Sequence, residues 1–143
     1  MAQGLPDWHS RSLPSYGSAV RNTDLKSIPD GIETELFLLE KRGIVYDGLI
    51  TTGAANDPGN FLYILKVDGN LIMDRSPVVL LAYNIIGVNK FPMSLCVYDT
   101  VNNHYYTVIN TVITFEISFG LYIYQVTGVN VPVWWDYRYA LAL

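Results

Sequence analysis

Beyond residue 32, apolar and polar side chains alternate with a spacing of two over most of the chain, the pattern of strands with one buried and one open face. Strands are expected over residues 33–40 and 44–52, which can pair as a hairpin across Lys41, Arg42 and Gly43. Residues 61–67 and 70–73 flank Asp68 and Gly69, a two-residue turn whose side chains tolerate positive φ and match strand twist. Residues 78–86 form a run that is apolar but for Asn84 and continuous rather than alternating. A strand buried on both faces and a short buried helix both fit it, and the β-branched Val78, Val79, Ile85 and Ile86 favour the strand.

Further strands are expected over 93–99, 104–111 and 112–119, the last two being one long bent strand or two joined at Asn110. Gly120 permits a bend before 121–127. The segment 131–143 splits by parity, Val133, Trp135, Tyr137, Tyr139 and Leu141 on one face and Trp134, Asp136, Arg138, Ala140 and Ala142 on the other. Roughly eight or nine strands without βαβ alternation predict an all-β chain, two antiparallel sheets in a sandwich or jelly roll.

Residues 1–32 break this pattern. Pro6, Pro14 and Pro29 with Gly4, Gly17, Gly31 and several Ser leave too little apolar surface for a core, so the stretch is expected as an extended N-terminal arm on a sandwich domain of residues 33–143. Its anchors, Leu5, Pro6, Trp8, Leu13 and Tyr16, stand singly among polar neighbours and are the candidate assembly contacts of the arm.

Composition sharpens the class. Hydrophobic residues make up 50% and charged residues 15% of the chain, ample for a core and high enough to suggest that other subunits cover part of the surface. Eleven Tyr against five Phe favour rings with a polar tip, as found at contact surfaces. The formal charge of −4 without a Lys or Arg cluster argues against nucleic acid as a partner. The longest apolar stretch, 78–88, is broken by Asn84 and is about half a membrane span. With no signal sequence, the chain is expected as a soluble cytoplasmic product with no membrane partner.

Reactive side chains are sparse. Cys96 is the single cysteine, expected inside an apolar strand, so neither a disulfide nor a zinc thiolate cluster is expected. His9 and His104 lack partners at metal spacing; Asp99 with His104 could act as an acid/base pair, but a turn-capping Asp and a solvated His account for the same residues. Glu35, Glu40, Asp47, Glu116 and Asp136 could pair as glycosidase carboxylates, yet scattered acids are what an open sheet face carries. Asn56, Asp57 and Asn60 could line a calcium loop, but a turn explains them equally. No catalytic residue, metal or cofactor is expected.

Trp134 and Trp135 are adjacent, so on a strand they face opposite ways and one is left for a contact. With Tyr105 and Tyr106 they form the candidate sheet surface, for assembly or for stacking a glycan. The runs Glu33-Thr34-Glu35-Leu36, Arg42-Gly43-Ile44-Val45-Tyr46-Asp47-Gly48, Val67-Asp68-Gly69-Asn70-Leu71-Ile72 and Thr114-Phe115-Glu116-Ile117-Ser118-Phe119 resemble small β-sandwich virion structural proteins of tailed bacteriophages. The resemblance implies a non-enzymatic virion component, a capsid decoration protein or a tail or neck subunit, partnered by copies of itself and by other virion proteins. It brings no catalytic signature. The alternative is a carbohydrate-binding module using exposed Trp and Tyr.

Overall fold

The computed structural model describes residues 15–52, 58–87, 92–109 and 111–143. The arm contacts Leu5, Pro6, Trp8 and Leu13, together with His9, Asn56, Asp57 and Asn110, lie outside the described residues. Strands β1 (Val20–Ile28), β2 (Thr34–Leu39), β3 (Gly43–Thr52), β4 (Phe61–Val67) and β5 (Asn70–Arg75) precede helix α1 (Pro77–Ala82). Strands β6 (Ser94–Asp99), β7 (His104–Ile109), β8 (Ile113–Phe115), β9 (Phe119–Gln125) and β10 (Val131–Leu141) complete the fold. Two antiparallel sheets result, one six-stranded in the order β1-β10-β3-β7-β6 with β8 also on β3, the other four-stranded in the order β2-β9-β4-β5. The two-sheet sandwich read from the alternation is the architecture found.

The central strands of both sheets give one face to a shared core. From the six-stranded sheet come Val45, Ile50, Val133, Trp135 and Tyr137; from the other come Phe37, Phe61, Tyr63, Leu65, Phe119, Leu121 and Ile123. Tyr137 meets Phe37 and Phe119 across the gap, with ring centroids 5.0 and 6.4 Å apart, tilted contacts that add to the burial of apolar surface. Polar side chains caught between the sheets tie one to the other. Thr52 Oγ1 and Tyr63 OH lie 2.9 Å apart, a hydrogen bond from one sheet to the other. Burial of Tyr63 pushes its phenol up to about 12, so it stays protonated at neutral pH. The Gln125 amide, fully buried on β9, donates to the carbonyls of Ile28 and Val129 and accepts from Thr127 N–H and Oγ1. It thereby fixes the end of β1 to the opposite sheet.

Several expectations need correction. Residues 33–40 and 44–52 are strands, but β2 pairs with β9 and β3 with β10 and β7, so the two do not form a hairpin. Both are apolar on one face, and separate sheets let those faces meet. The run 78–86 begins as helix: Ser76 Oγ accepts from Val79 N–H and Pro77 opens the first turn, a start signal that outweighs β-branching. Gly120 lies within β9 rather than at a bend; the Tyr122 ring folds over it, with Cε2 2.6 Å from where a Cβ would stand. Cys96 is exposed, because the register of β6 shifts between Leu95 and Val97 and turns the intervening residue outward.

Residues 20–28, assigned to the arm by their polarity, form β1 and stay in register with β10 from Val20 opposite Tyr139 to Ile28 opposite Val131. Only Ile28 reaches the core. The strand overhangs the sandwich edge, which is why its sequence reads as a loop. Its charges Arg21, Asp24 and Lys26 suit an edge that must not recruit further strands, and Asp24 Oδ1 accepts the N–H of Leu25.

The β4–β5 turn is the most legible element. Asp68 and Gly69 have φ of 53° and 79°, both left-handed. The Asp68 side chain also reaches beyond its own turn. Its Oδ1 accepts the N–H groups of Glu116, Ile117 and Ser118 at 3.0, 2.7 and 3.1 Å, clasping the turn to the β8–β9 connection. These bonds, led by Ile117 and Ser118, hold the carboxyl below the usual carboxylate range.

Both the close packing and the clasp are open to measurement. A Cβ on Gly48 would stand 2.1 Å from the Tyr137 ring laid across it, so Gly48→Ala should cost about 1–3 kcal/mol by overpacking. The check is a urea midpoint lowered at unchanged slope. Because the folded-state pKa of Asp68 is depressed, its stabilising contribution is present above the unfolded value near about 3.9 and is lost as pH falls through the folded value. Thermal melts of Asp68→Asn should lie below those of the parent at neutral pH and converge with them in acid.

Candidate functional site

Strand β10 carries the site because both its edges are paired and its parity is strict up to Arg138. Val131, Val133, Trp135 and Tyr137 point inward, while Pro132, Trp134, Asp136 and Arg138 point out. The register shifts between Arg138 and Tyr139; beyond it Tyr139 and Leu141 still pack against the core, as their parity predicts, and Ala140 is buried as well, where parity had placed it outside.

Residues directly opposite each other share a face, and the registers align one row across the outer side of the larger sheet. Leu25 on β1 faces Trp134 on β10, Trp134 faces Thr51 on β3, Thr51 faces Tyr106 on β7, and Tyr106 faces Val97 on β6. Leu25 is 65% exposed. Trp134 and Tyr106 are half-buried. The row surrounds an open depression of about 180 Å³ that also touches His104 and Pro132.

The two rings are held in place. Trp134 Nε1 donates to Thr23 Oγ1 at 3.1 Å, and that hydroxyl donates to the carbonyl of Trp135 at 2.9 Å. The Tyr106 ring stacks with His104 at a centroid distance of 6.2 Å.

Farther along the same face lies a band of charge. Arg21 binds Asp136 through two contacts of 2.8 Å, and Arg138 binds Asp47 at 2.8 Å. Hydrogen bonding from Arg21 keeps the Asp136 carboxyl below its ordinary range. Of the acids considered for glycosidic chemistry, Asp47, Asp136 and Glu116 are therefore engaged by Arg138, Arg21 and Arg42, and Glu35 and Glu40 are exposed on and beside β2.

Asp99 accepts from Asn102 Nδ2 and from the N–H groups of Val101 and Asn102, the turn-capping role. These bonds lower its pKa, the Asn102 side chain foremost, so it is a poor base for His104. Among the described residues there is no group of three or more His, Cys, Asp or Glu arranged to hold a metal ion, and no helix is long and apolar enough to cross a membrane.

Of the sheet candidates, Trp134 and Tyr106 lie together on this outer row. Trp135 is 3% exposed, its Nε1 donating to Asn22 Oδ1 at 2.9 Å, and Tyr105 is fully buried with its ring edge-on to Tyr98. Both are buried, as their parity opposite Trp134 and Tyr106 requires. Tyr16 is half-buried at the other end of β10, bridged to Ala142. Leu25 escaped sequence reasoning because it sits in the stretch taken for arm.

A second surface was also missed. Beside α1, a groove of about 730 Å³ is lined by Leu62, Asp74, Arg75, Val79, Tyr83 and Ile85. Tyr83 is 77% exposed, and Leu81 and Ile86 are open beside it. Reading 78–86 as a strand hid this surface, since only the helix and the turn after it turn these side chains outward.

The fold is shared with a chain in the acid-stable capsid structure of the Helicobacter pylori bacteriophage KHP30. The TM-score is 0.52 over 90% of this chain and 92% of that one, at 12% identity. A chain of the infectious bursal disease virus VP2 subviral particle aligns over 90% of this chain and 42% of its own at 10% identity, with a TM-score of 0.26, too low to bear on the fold. No protein-family model and no curated protein sequence matches the chain.

Core and outer-face residues should separate cleanly in denaturant. Trp135→Ala is expected to cost about 3–5 kcal/mol. Leu25→Ala should stay within about 0.5 kcal/mol, as for an open surface position. Equal losses for the two would contradict the assignment of faces.

Proposed function

We propose that this chain is a non-enzymatic structural protein of a virus particle, docking on the capsid surface as a decoration subunit through the outer face of its larger sheet and through its N-terminal leader. The observation that carries the reading is the row from Leu25 through Trp134 and Tyr106 to Val97. It is a largely apolar and aromatic strip, with Thr51 in its middle, crossing the whole sheet, with Trp134 held by Thr23 and the neighbouring acids paired to arginines. Such a surface suits a partner of matching shape, since burying fixed rings wins apolar contact at little cost in side-chain freedom.

The fold likeness to a phage capsid chain supports the same reading. A glycan platform is less well supported, because sugar-binding rings need free polar groups at their edge. Here Trp134 Nε1 is committed to Thr23, and Asp47 and Asp136 are committed to arginines.

The leader is best cut after residue 14. Removing residues 1–32 would also take away β1, strip Ile28 from the core and expose the edge of β10. Purified particles of the encoding virus, analysed by quantitative mass spectrometry, are expected to contain the chain in fixed ratio to the shell protein. A version comprising residues 15–143 should fold with the parent's circular dichroism yet be depleted from particles by about tenfold or more, the loss expected when an anchor worth over about 1.4 kcal/mol is removed. Particles lacking the full-length chain would refute the reading.

A further inference from the structure

We propose that the outer-face slot between Trp134 and Tyr106 binds a polyproline-II segment of a different protein, one carrying two prolines three residues apart. The proposal rests on the outer face being a docking surface, as argued above, and adds the class of ligand that it takes.

The first observation is spacing. Trp134 on β10 and Tyr106 on β7 stand in one row with Thr51 on β3 between them. Their backbones are therefore two strand spacings apart, about 9.4–9.8 Å. A polyproline-II helix turns once in three residues and rises about 3.1 Å at each, so side chains at i and i+3 point the same way about 9.3 Å apart. Laid across the strands, such a helix sets one residue on each ring. The residues between them lie over Thr51, at the depression of about 180 Å³ that Leu25 and Pro132 also line. That volume is well under the roughly 300–1,000 Å³ of a small-molecule pocket and suits a single pyrrolidine or aliphatic group.

The second is rigidity and chemistry. Trp134 is anchored through Thr23 to the backbone of β10, and Tyr106 is stacked on His104, so neither ring must be immobilised on docking. A polyproline-II segment is preformed as well, and aromatic-lined grooves exploit that low entropic cost. Its backbone makes no internal hydrogen bonds, so its carbonyls call for donors. The Tyr106 hydroxyl and the His104 ring, both at the depression, are groups of that kind. Farther along the face, Asp136 and Asp47 are held by Arg21 and Arg138, so an uncharged ligand leaves neither acid unpaired.

The third is the source of the ligand. The row crosses five strands from Leu25 to Val97, four spacings or about 19 Å, which takes about six residues of polyproline II. No two of the seven prolines of this chain stand three residues apart; in the leader, Pro6 and Pro14 are eight apart. Neither the chain's own leader nor that of a second copy offers the matching pair, and the ligand belongs to another protein.

The test titrates the nitrogen-15-labelled full chain with a synthetic peptide of three Pro-Pro-Leu triplets, and with a second peptide in which glycine replaces every proline. The proline peptide should bind saturably with a Kd below about 1 mM and shift most the amide signals of Thr51, Tyr106 and Trp134. The glycine peptide keeps the leucines but loses the preformed helix, and should bind about tenfold more weakly or worse. Trp134→Ala and Tyr106→Ala, each checked by circular dichroism, should weaken the proline peptide about tenfold, as for loss of a hot-spot ring. Tyr83→Ala, on the other exposed surface, should leave it unchanged. Should a ring variant unfold, the shift map and the glycine peptide decide.

No saturable binding, equal binding of the two peptides, shifts centred away from Thr51, or an affinity indifferent to both ring variants would overturn the site. Binding that emerges only once residues 1–14 are removed would show that this chain's leader already fills the slot, and would overturn another protein as the source. The titration contains no particles, so its failure leaves the virion role to the incorporation experiment. Absence of the chain from particles leaves the peptide site to be judged by the titration.

Discussion

The alternation of β10 governs the rest of this molecule. Its inward side chains, Val131, Val133, Trp135 and Tyr137, fill the middle of the core against Phe37 and Phe119 of the opposite sheet. Its two edges hold β1 and β3. Its outward side chains set the character of the exposed face, apolar at Trp134 and charged at Asp136 and Arg138. A strand slipped by one residue would exchange Trp134 for Trp135 and ruin core and surface together, so the register is strongly specified. The pairing of Gly48 with Tyr137 adds a lock, because the ring lies where any other residue would place its Cβ.

The polar ties between the sheets act on the same problem from within. Hydrophobic contact alone is non-directional and would tolerate some sliding of one sheet over the other. The Thr52–Tyr63 bond and the four-way bonding of the Gln125 amide hold one alignment, since sliding would strip these buried groups of their partners. Gln125 also places the start of β2 relative to β1, since Gly31 N–H donates to its backbone carbonyl and Asp30 accepts from Gly128. The outer face is thus presented on a stiff support, which docking by shape requires.

Much of this was legible in sequence where a local rule and the tertiary environment agree. The Asp68-Gly69 turn, the parity of Trp134 and Trp135, and the two-sheet architecture all follow from period-two patterning and turn chemistry. What escaped reading did so for identifiable reasons. β1 is polar because it overhangs the core at the sheet edge, so its strand character comes from pairing with β10 rather than from burial. α1 is β-branched but starts at a Ser-Pro cap, and the cap decides. Cys96 was placed on the wrong face because a bulge inverts parity, and no residue type announces it. Strand partners, such as β2 with β9, depend on which apolar faces close on each other, a matter of topology that spacing alone does not encode. At the candidate site the same limits apply: Trp134 and Tyr106 could be read from the pattern, whereas Leu25 and the groove beside α1 required the structure.

If the outer face around Trp134 is an interface, it must be covered when copies or particles assemble. Hydroxyl-radical footprinting reads that coverage residue by residue, in the dilute protomer and in the assembled form. Oxidation of Leu25, Tyr106 and Trp134 should fall sharply on assembly, while Trp135 stays protected in both states and Tyr46, exposed on β3, serves as a reactive reference. Unchanged oxidation of Leu25, Tyr106 and Trp134 in the assembled form would mean that this face stays open to solvent and is no interface.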